Sequence, residues 1–377
     1  MNILHWPSSY PDPSRNEPFH CIFIEEHIKS IIPYANQRVL FISPETTLNS
    51  TKWHERIDTK ENNIIVTRYY FNKMLNLNFL NLYIRFIILR YFLELILIKK
   101  FKPKIIHIHF YTAGTWALLF TKLYKIKMVV TEHWTALIGY PIISEKRLQE
   151  AKNIYEKANW ILPVSTHLKN GIEERTQADI GKKWSVIHNS VNTEIFKITH
   201  FAETQNQLIT VIRLDEQKDI PTMLKTMAIA LTSNPNLKLN IIGGGNPEQF
   251  KKIAIDLKIT HAVSFLGTLP KVKIAALMNE SNLFILSSIA ENSPCVIGEA
   301  HCCGLPVVAT DVGGVKELII EGFLVPANSP ELLAQKILEQ LDKKIDREAL
   351  AQKAQQKFSF NTIGQQFFEV YQKVCAE

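Results

Sequence analysis

The sequence predicts an α/β protein built from two doubly wound domains. Three observations carry that reading. Short apolar runs alternate with helix-like segments along nearly the whole chain, which is the pattern of parallel strands covered on both faces. The alternation comes in two series, one on each side of the polar stretch "FKITHFAETQN", 196–206. At 377 residues the chain is also too long for one ordinary core. The expected division is an N-terminal domain over 1–197, a C-terminal domain over 207–347 and C-terminal helices over 348–377.

The elements follow in order. "NILHW", "VLFIS", "IIVTRYYF", "KIIHIHF", "KMVVTEH", "WILPVS" and "WSVIHNSV" read as strands of the first series. "LITVIRL", "LKLNIIGG", "AVSFLG", "LFILSS", "PVVAT" and "FLVP" read as strands of the second. Each is short and rich in β-branched or aromatic residues, and bounded by polar or turn residues. Helical patterns separate most of them, as at 145–158 and 270–279. The N-terminus "MNILHWPSSYP" lacks a basic leader and a long apolar core, so it reads as a first strand rather than a signal peptide. The five cysteines show no CxxC spacing, which fits a reduced compartment, the cytoplasm.

Charge is unevenly spread. Residues 1–200 hold 26 Lys and Arg against 17 Asp and Glu, so the formal excess of +7 lies wholly in the first half. Much of it falls in 52–104, a patch suited to nucleic acid, an anionic membrane or an acidic substrate. No RNP, KH or helix-turn-helix pattern accompanies it, so a nucleic-acid partner is not expected.

In open α/β sheets, ligands bind beyond the carboxyl ends of strands. Several chemistry-bearing residues fall there in the second series. Arg213 and Lys218 follow "LITVI", and Gly243, Gly244 and Gly245 follow "LNII". Glu291 and Glu299 flank "NSPCVIG" after "LFILSS", and Gly313 and Gly314 follow "PVVATD". Glycines at a strand-to-helix turn let backbone N–H groups approach a phosphate. Singly, each feature is more commonly a structural tight turn or a solvated charge; their meeting at one sheet edge is the signal.

The stretches "VIRLDEQKDIPTMLKTM", "LNIIGGGNPE", "VSFLGTLPKVKIAALMNESNLFILSSIAENSPCVIGEAHCCGLPVVATDVGGVKELI" and "FLVPANSPELLAQKI" resemble the donor domain of the retaining glycosyltransferases of family 4, the group 1 glycosyltransferases. "VIHNSVNTEIF" is similar to that family's interdomain entry and "VVTEHW" to its acceptor-side histidine. The resemblance implies the GT-B fold: two Rossmann-like domains facing across a cleft, acceptor on the first and nucleotide-sugar donor on the second, with a C-terminal tail crossing back. It implies that Glu291 lies near the anomeric centre and that Asn292, Ser293, Pro294, Cys295 and Val296 line the sugar and diphosphate. Glu299 would hold the ribose hydroxyls, since an ionised carboxylate only accepts hydrogen bonds. Arg213, Lys218 and the amides near Gly243 would neutralise the leaving diphosphate. Neither a cofactor nor a metal is expected there, and no Asp-x-Asp motif ends a strand. His133 would stand over the sugar as the second catalytic group.

His107, His109 and His133 sit at neighbouring strand ends and could hold zinc, but a fourth ligand is not evident and the family does not use one; His109 reads as structural. The chain departs from the family in its first loop, "SSYPDPSRNEPFHCIFIEEH", which lacks glycine and has Cys21 where a related subgroup has one. "NSVN" stands where "NGVD" is usual. None of these departures removes a charged group.

Finally, 74–103 is apolar, basic and aromatic. Its most apolar run, Phe86 to Ile98, is too short to span a bilayer but can lie on an anionic one. The alternative is a helix packing on the first sheet. The expected function is transfer of a sugar to a glycan or lipid-linked acceptor in cell-surface polysaccharide, lipopolysaccharide or glycolipid synthesis, in the cytoplasm or peripherally on the membrane. A GT-B sugar-nucleotide epimerase and a non-catalytic sugar-nucleotide-binding protein are the alternatives.

Overall fold

The computed structural model describes residues 1–12, 21–43, 53–71, 77–200 and 206–376. Part of the first loop (13–20), the residues 201–205 and the start of the 74–103 segment lie outside them. By its contacts the chain divides into two compact units. The first holds Met1–Val164, Lys169–Ile187 and Ile363–Glu377; the second holds Ser165–Leu168 and His188–Thr362.

The sheet of the first unit contains β1 (Asn2–Pro7), β2 (Asn36–Ser43), β3 (His54–Glu61), β4 (Ile64–Phe71), β5 (Ile105–His109), β6 (Lys127–Glu132) and β7 (Trp160–Pro163). Their order is β3-β4-β2-β1-β5-β6-β7. All pairings are parallel except β3 with β4. The second sheet contains β8 (Gln207–Val211), β9 (Lys238–Ile242), β10 (Val263–Gly267), β11 (Leu283–Leu286), β12 (Val307–Thr310) and β13 (Gly322–Val325). Its order is β10-β9-β8-β11-β12-β13, parallel throughout. With β3 set aside, both sheets run outward from a central first strand in the doubly wound 3-2-1-4-5-6 order. β5, β11 and β12 are buried along their whole length, as strands covered on both faces must be.

Two elements differ from the sequence reading. "HERIDTKE" forms β3, although it offers no apolar alternation. It is an antiparallel edge held by polar pairs: Thr67 Oγ1 donates to Asp58 at 2.7 Å and Arg68 to Glu61 at 2.8 Å. A charged edge also discourages pairing with another chain. "WSVIHNSV" is not a strand. Trp184 makes one bridge to Ile161 and Val191 one to Ser359, because the chain passes from one unit to the other at Ile187–His188.

Residues 188–197, read with the first domain, group with the second unit, where Val191 N–H donates to Phe358 O at 2.8 Å. The final helix, Phe360–Ala376, lays Ile363, Phe367, Tyr371 and Val374 into the core of the first unit with Ile3, Ile31, Ile105 and Trp160. That core forces glycine at 364, where a Cβ would lie 1.9 Å from Ser30 O.

The helix Leu77–Leu93 continues into a wider turn, Glu94–Ile98. One face, with Ile84, Ile88, Tyr91 and Phe92, is buried. The other exposes Leu82, Phe86, Leu89, Leu93, Leu97 and Ile98. Among the described residues no helix is long and apolar enough to cross a membrane.

Candidate active site

The second unit gathers its candidate residues beyond the carboxyl ends of β8, β9, β11 and β12. β11 delivers the chain into Ser287–Ser293, a loop tied down on three sides. Ser287 Oγ donates to the Lys218 and Asp219 carbonyls at 2.8 and 3.0 Å. Gln217 Nε2 donates to Ala290 O at 2.7 Å, and Ile289 N–H to Gln217 O at 2.9 Å. Thr310 Oγ1, at the end of β12, donates to Ser288 O at 2.6 Å. Asn189 Nδ2 donates to Ser293 O at 2.6 Å.

This stapling aims Glu291. Its carboxylate is buried, accepts from Ser288 Oγ at 2.7 Å and pairs with Lys218 Nζ. Eight residues on, Glu299 is buried in the helix Cys295–Cys302 and pairs with Lys271 Nζ at 3.2 Å. Both carboxylates of the flanked loop therefore hold a lysine, Lys218 from the connection after β8 and Lys271 from the helix start after β10. Between them, Asn292 and Ser293 are buried, and Pro294 precedes the helix with no side-chain cap at its N-terminus. Arg213 is not brought to this cluster: it is 73% exposed and pairs with Asp215 at 2.8 Å.

The glycines serve the backbone. At Gly313 (φ +56°) a Cβ would lie 1.7 Å from Glu291 O, and at Gly314 one would lie 2.0 Å from Asn292 O. Gly314 N–H donates to Glu291 O at 3.3 Å. These two residues thus press the β12 turn against the Glu291 loop and fix its path. Gly243 (φ +146°) packs in the same way on Ile212 O, at 1.6 Å from its would-be Cβ.

In the first unit, β6 ends on Glu132. This carboxylate is fully buried and accepts four hydrogen bonds: from the His133 and Trp134 amides at 2.9 and 3.0 Å, the Tyr111 amide at 3.0 Å and Tyr155 Oη at 2.8 Å. Burial pushes its carboxyl above the usual range, and the four donors pull it back. Glu132 thereby sets the backbone that carries His133. The His133 ring lies among Phe23, His27 and Phe110, with ring centres at 4.6, 5.3 and 5.4 Å. His107 and His109, with His5 from β1, lie deeper and are fully buried. Burial drives the His107 and His109 rings well below the ordinary histidine range and His5 down to about 3, so all three are neutral.

Cys21 keeps the conformation that glycine would have. It opens the helix Ile22–Ser30 at φ +51° and ψ +36°, in the left-handed region. Sequence reasoning missed Lys271, Gln217, Glu132, His5 and His27. Lys271 carries one legible sign, its place just after "FLGTLP", where a strand gives way to a helix.

Two family models match the chain. One, described as glycosyl transferases group 1, covers residues 191–357; the other, glycosyltransferase family 4, covers 52–195. The amylovoran biosynthesis glycosyltransferase AmsK of Erwinia amylovora is 27% identical over 64% of this chain and 62% of its own length. The chain therefore spans about three fifths of that relative. The D-inositol 3-phosphate glycosyltransferase of Corynebacterium urealyticum is 24% identical over 72% of this chain and 71% of its own. Among solved structures, sucrose-phosphate synthase from Thermosynechococcus elongatus superposes with a TM-score of 0.77 at 19% identity, covering 100% of both chains. HepE from Anabaena, in complex with UDP and glucose, gives 0.75 at 18% identity, covering 99% of this chain and 100% of that one.

Proposed function

Because this chain belongs to the group 1 glycosyltransferases and has their GT-B fold, we propose that it transfers a sugar with retention from a nucleoside diphosphate donor on the second unit. The acceptor is a glycan or a lipid-linked sugar bound through the first unit. The observation that carries this reading is the buried Glu291–Lys218 pair at the end of β11, followed by Glu299 on the next helix.

The chemistry follows from the charges. When the anomeric bond breaks, positive charge grows on the sugar and negative charge on the departing diphosphate. Glu291 is the group for the first and Lys218 for the second, with the amides at the start of Cys295–Cys302 adding to it, and Arg213 as well once its exposed side chain leaves Asp215. A preorganised donor of this kind is worth about 3 kcal/mol in a transition state. Glu299 takes the ribose diol. His133, positioned by Glu132, contacts the sugar or the acceptor hydroxyl. With lysines in the diphosphate site, the transfer runs without a metal ion. UDP-glucose is the first donor to try, as HepE holds UDP and glucose on the same fold.

The site of action is a membrane surface. The exposed apolar face of Leu77–Leu93 and Glu94–Ile98 is extended by Leu119 and Leu123 of the helix Gly114–Tyr124. Arg85, Arg90, Lys99 and Lys100 lie on the same segment, and each cation near an anionic surface adds about 1 kcal/mol.

The test is turnover with and without chelator, on anionic vesicles carrying lipid-linked acceptor. The expected result is nucleoside diphosphate release that survives EDTA and a product of unchanged anomeric configuration. Loss of release with EDTA, or an inverted product, would overturn the reading. Vesicle flotation that is equal for wild type and a variant with Arg85, Arg90, Lys99 and Lys100 all changed to Glu would overturn the membrane part alone.

A further inference from the structure

Five histidines meet inside the first unit: His5, His27, His107, His109 and His133, all buried. They form two triads, each with ring nitrogens within 4.8 Å of one another: His5 with His107 and His109, and His27 with His109 and His133. The first triad is closed by hydrogen bonds. His107 meets Tyr371 Oη through Nδ1 and Thr131 Oγ1 through Nε2, both at 2.6 Å. His5 lies between Gln37 Oε1, at 2.7 Å from its Nε2, and His109 Nε2, at 3.3 Å from its Nδ1.

The second triad differs, and the amide of Gln37 says how. Gln37 Nε2 donates to Ile28 O at 3.1 Å, so Oε1 is the atom facing His5 and it can only accept. His5 therefore carries its proton on Nε2 and presents a bare Nδ1. His109 must then donate to it from Nε2, which leaves His109 Nδ1 as an unprotonated lone pair. That atom is buried and has no hydrogen-bond partner among the described residues. His109 is also the histidine that the second triad shares with the first, and Nδ1 is the nitrogen it has left to offer there.

We propose that His27, His109 and His133 bind one divalent transition-metal ion of the zinc class, with His109 ligating through Nδ1. Three neutral imidazole nitrogens are a ligand set that such ions take, with the fourth position left to water or an anion. The relay from His109 through His5 to Gln37 is the supporting shell that metal-ligating histidines ordinarily have, since it fixes tautomer and ring orientation. Glu132 is not a ligand, as both of its oxygens are filled. The ion would join the helix Ile22–Ser30, the end of β5 and the loop after β6. It would enter past His133, which is 9% exposed while the other two rings are closed off. The site belongs to the first unit and shares His133 with the proposed sugar contact, one ring nitrogen serving each, so its readout is metal content.

The experiment uses the full, untagged chain, stripped by chelator, dialysed, and titrated with Co²⁺ and then Zn²⁺. The expected result is about one Co²⁺ per chain with the visible absorption of a four-coordinate ion, displaced by one equivalent of Zn²⁺. His27→Gln and His109→Gln should each abolish that absorption. Gln37→Leu should weaken affinity about 10- to 100-fold. His107→Gln should retain the ion, because both of its nitrogens are used elsewhere. Should the buried variants fail to fold by circular dichroism, His133→Gln, at the rim, is read instead. A folded wild type that takes up no Co²⁺, or equal uptake by wild type and His27→Gln or His133→Gln, would overturn the proposal.

Discussion

The two units share a strand order but fill the functional end of the sheet with opposite materials. The second unit places two buried carboxylates there, each neutralised by a lysine, Glu291 by Lys218 and Glu299 by Lys271. The first unit places neutral imidazoles there, around a carboxylate whose acceptor positions are filled by backbone amides and a phenol. One edge is a set of paired charges that a phosphate or a diol can re-pair. The other is a set of histidine rings beside one carboxylate already filled by its own donors. The fold sets where chemistry can occur, and the loop residues at each strand end set which chemistry it is.

The comparison breaks most visibly at the charged edge. Lys218→Ala should lower turnover by about 10²–10³. It should also cost about 3 kcal/mol of stability in denaturant, because it strands the Glu291 carboxylate in a buried place. Near-normal turnover in a folded variant would remove Lys218 from the chemistry. On the neutral edge the expectation is structural. Glu132→Gln turns one acceptor oxygen into a donor facing N–H or O–H groups, and should destabilise by about 2–3 kcal/mol. Unchanged urea midpoints would mean that the four hydrogen bonds do not frame the His133 loop.

Much of this was legible in the sequence, and the misses have physical causes. The Glu291 loop announces itself because its carboxylates follow an apolar run that can only be a buried strand. Lys271 does not: its place at a strand-to-helix turn is legible, but its partner Glu299 lies 28 residues away. β3 was missed because its order comes from cross-strand polar pairs, Thr67 with Asp58 and Arg68 with Glu61, rather than apolar alternation. "WSVIHNSV" was over-read because β-branched and aromatic residues also suit a passage between units, where Ile187 and Val191 are buried without a strand. Gly313 and Gly314 were read as phosphate-approaching amides; the Gly314 amide donates to Glu291 O, and the sides where a Cβ would stand face the Glu291 and Asn292 carbonyls. His27 drew no reading from the sequence; only the packing of its helix brings it to His109.

Smaller effects sharpen the contrast. His301, in the second unit, donates from Nδ1 to Leu305 O at 2.9 Å and accepts at Nε2 from Ile320 N–H at 3.2 Å. Burial lowers its pKa from 6.5 to about 4. Between those values the unfolded chain binds the extra proton and the folded one does not. Stability from this group is therefore full above pH 6.5 and falls as pH drops toward 4, by at most about 1.4 kcal/mol per pH unit. Urea midpoints across that range should show the slope, and His301→Gln should flatten it. Smallest of all, Cys21→Gly relieves a left-handed residue at the start of Ile22–Ser30 and should stabilise by no more than about 1 kcal/mol. A loss of stability would show that the Cys21 side chain contributes more than its backbone strain costs.

The most direct measurement is steady-state kinetics on Glu291→Gln and Glu299→Gln with the same donor and acceptor. Glu299 is assigned to the ribose, which does not react, so its contact is equally strong before and during bond breaking. Its loss should mainly raise KM for the donor. Glu291 is assigned beside the anomeric carbon, where positive charge grows, so its loss should mainly lower kcat, and donor hydrolysis without acceptor should fall with it. A reversed pattern, or two silent substitutions, would contradict the placement of this pair around the donor sugar.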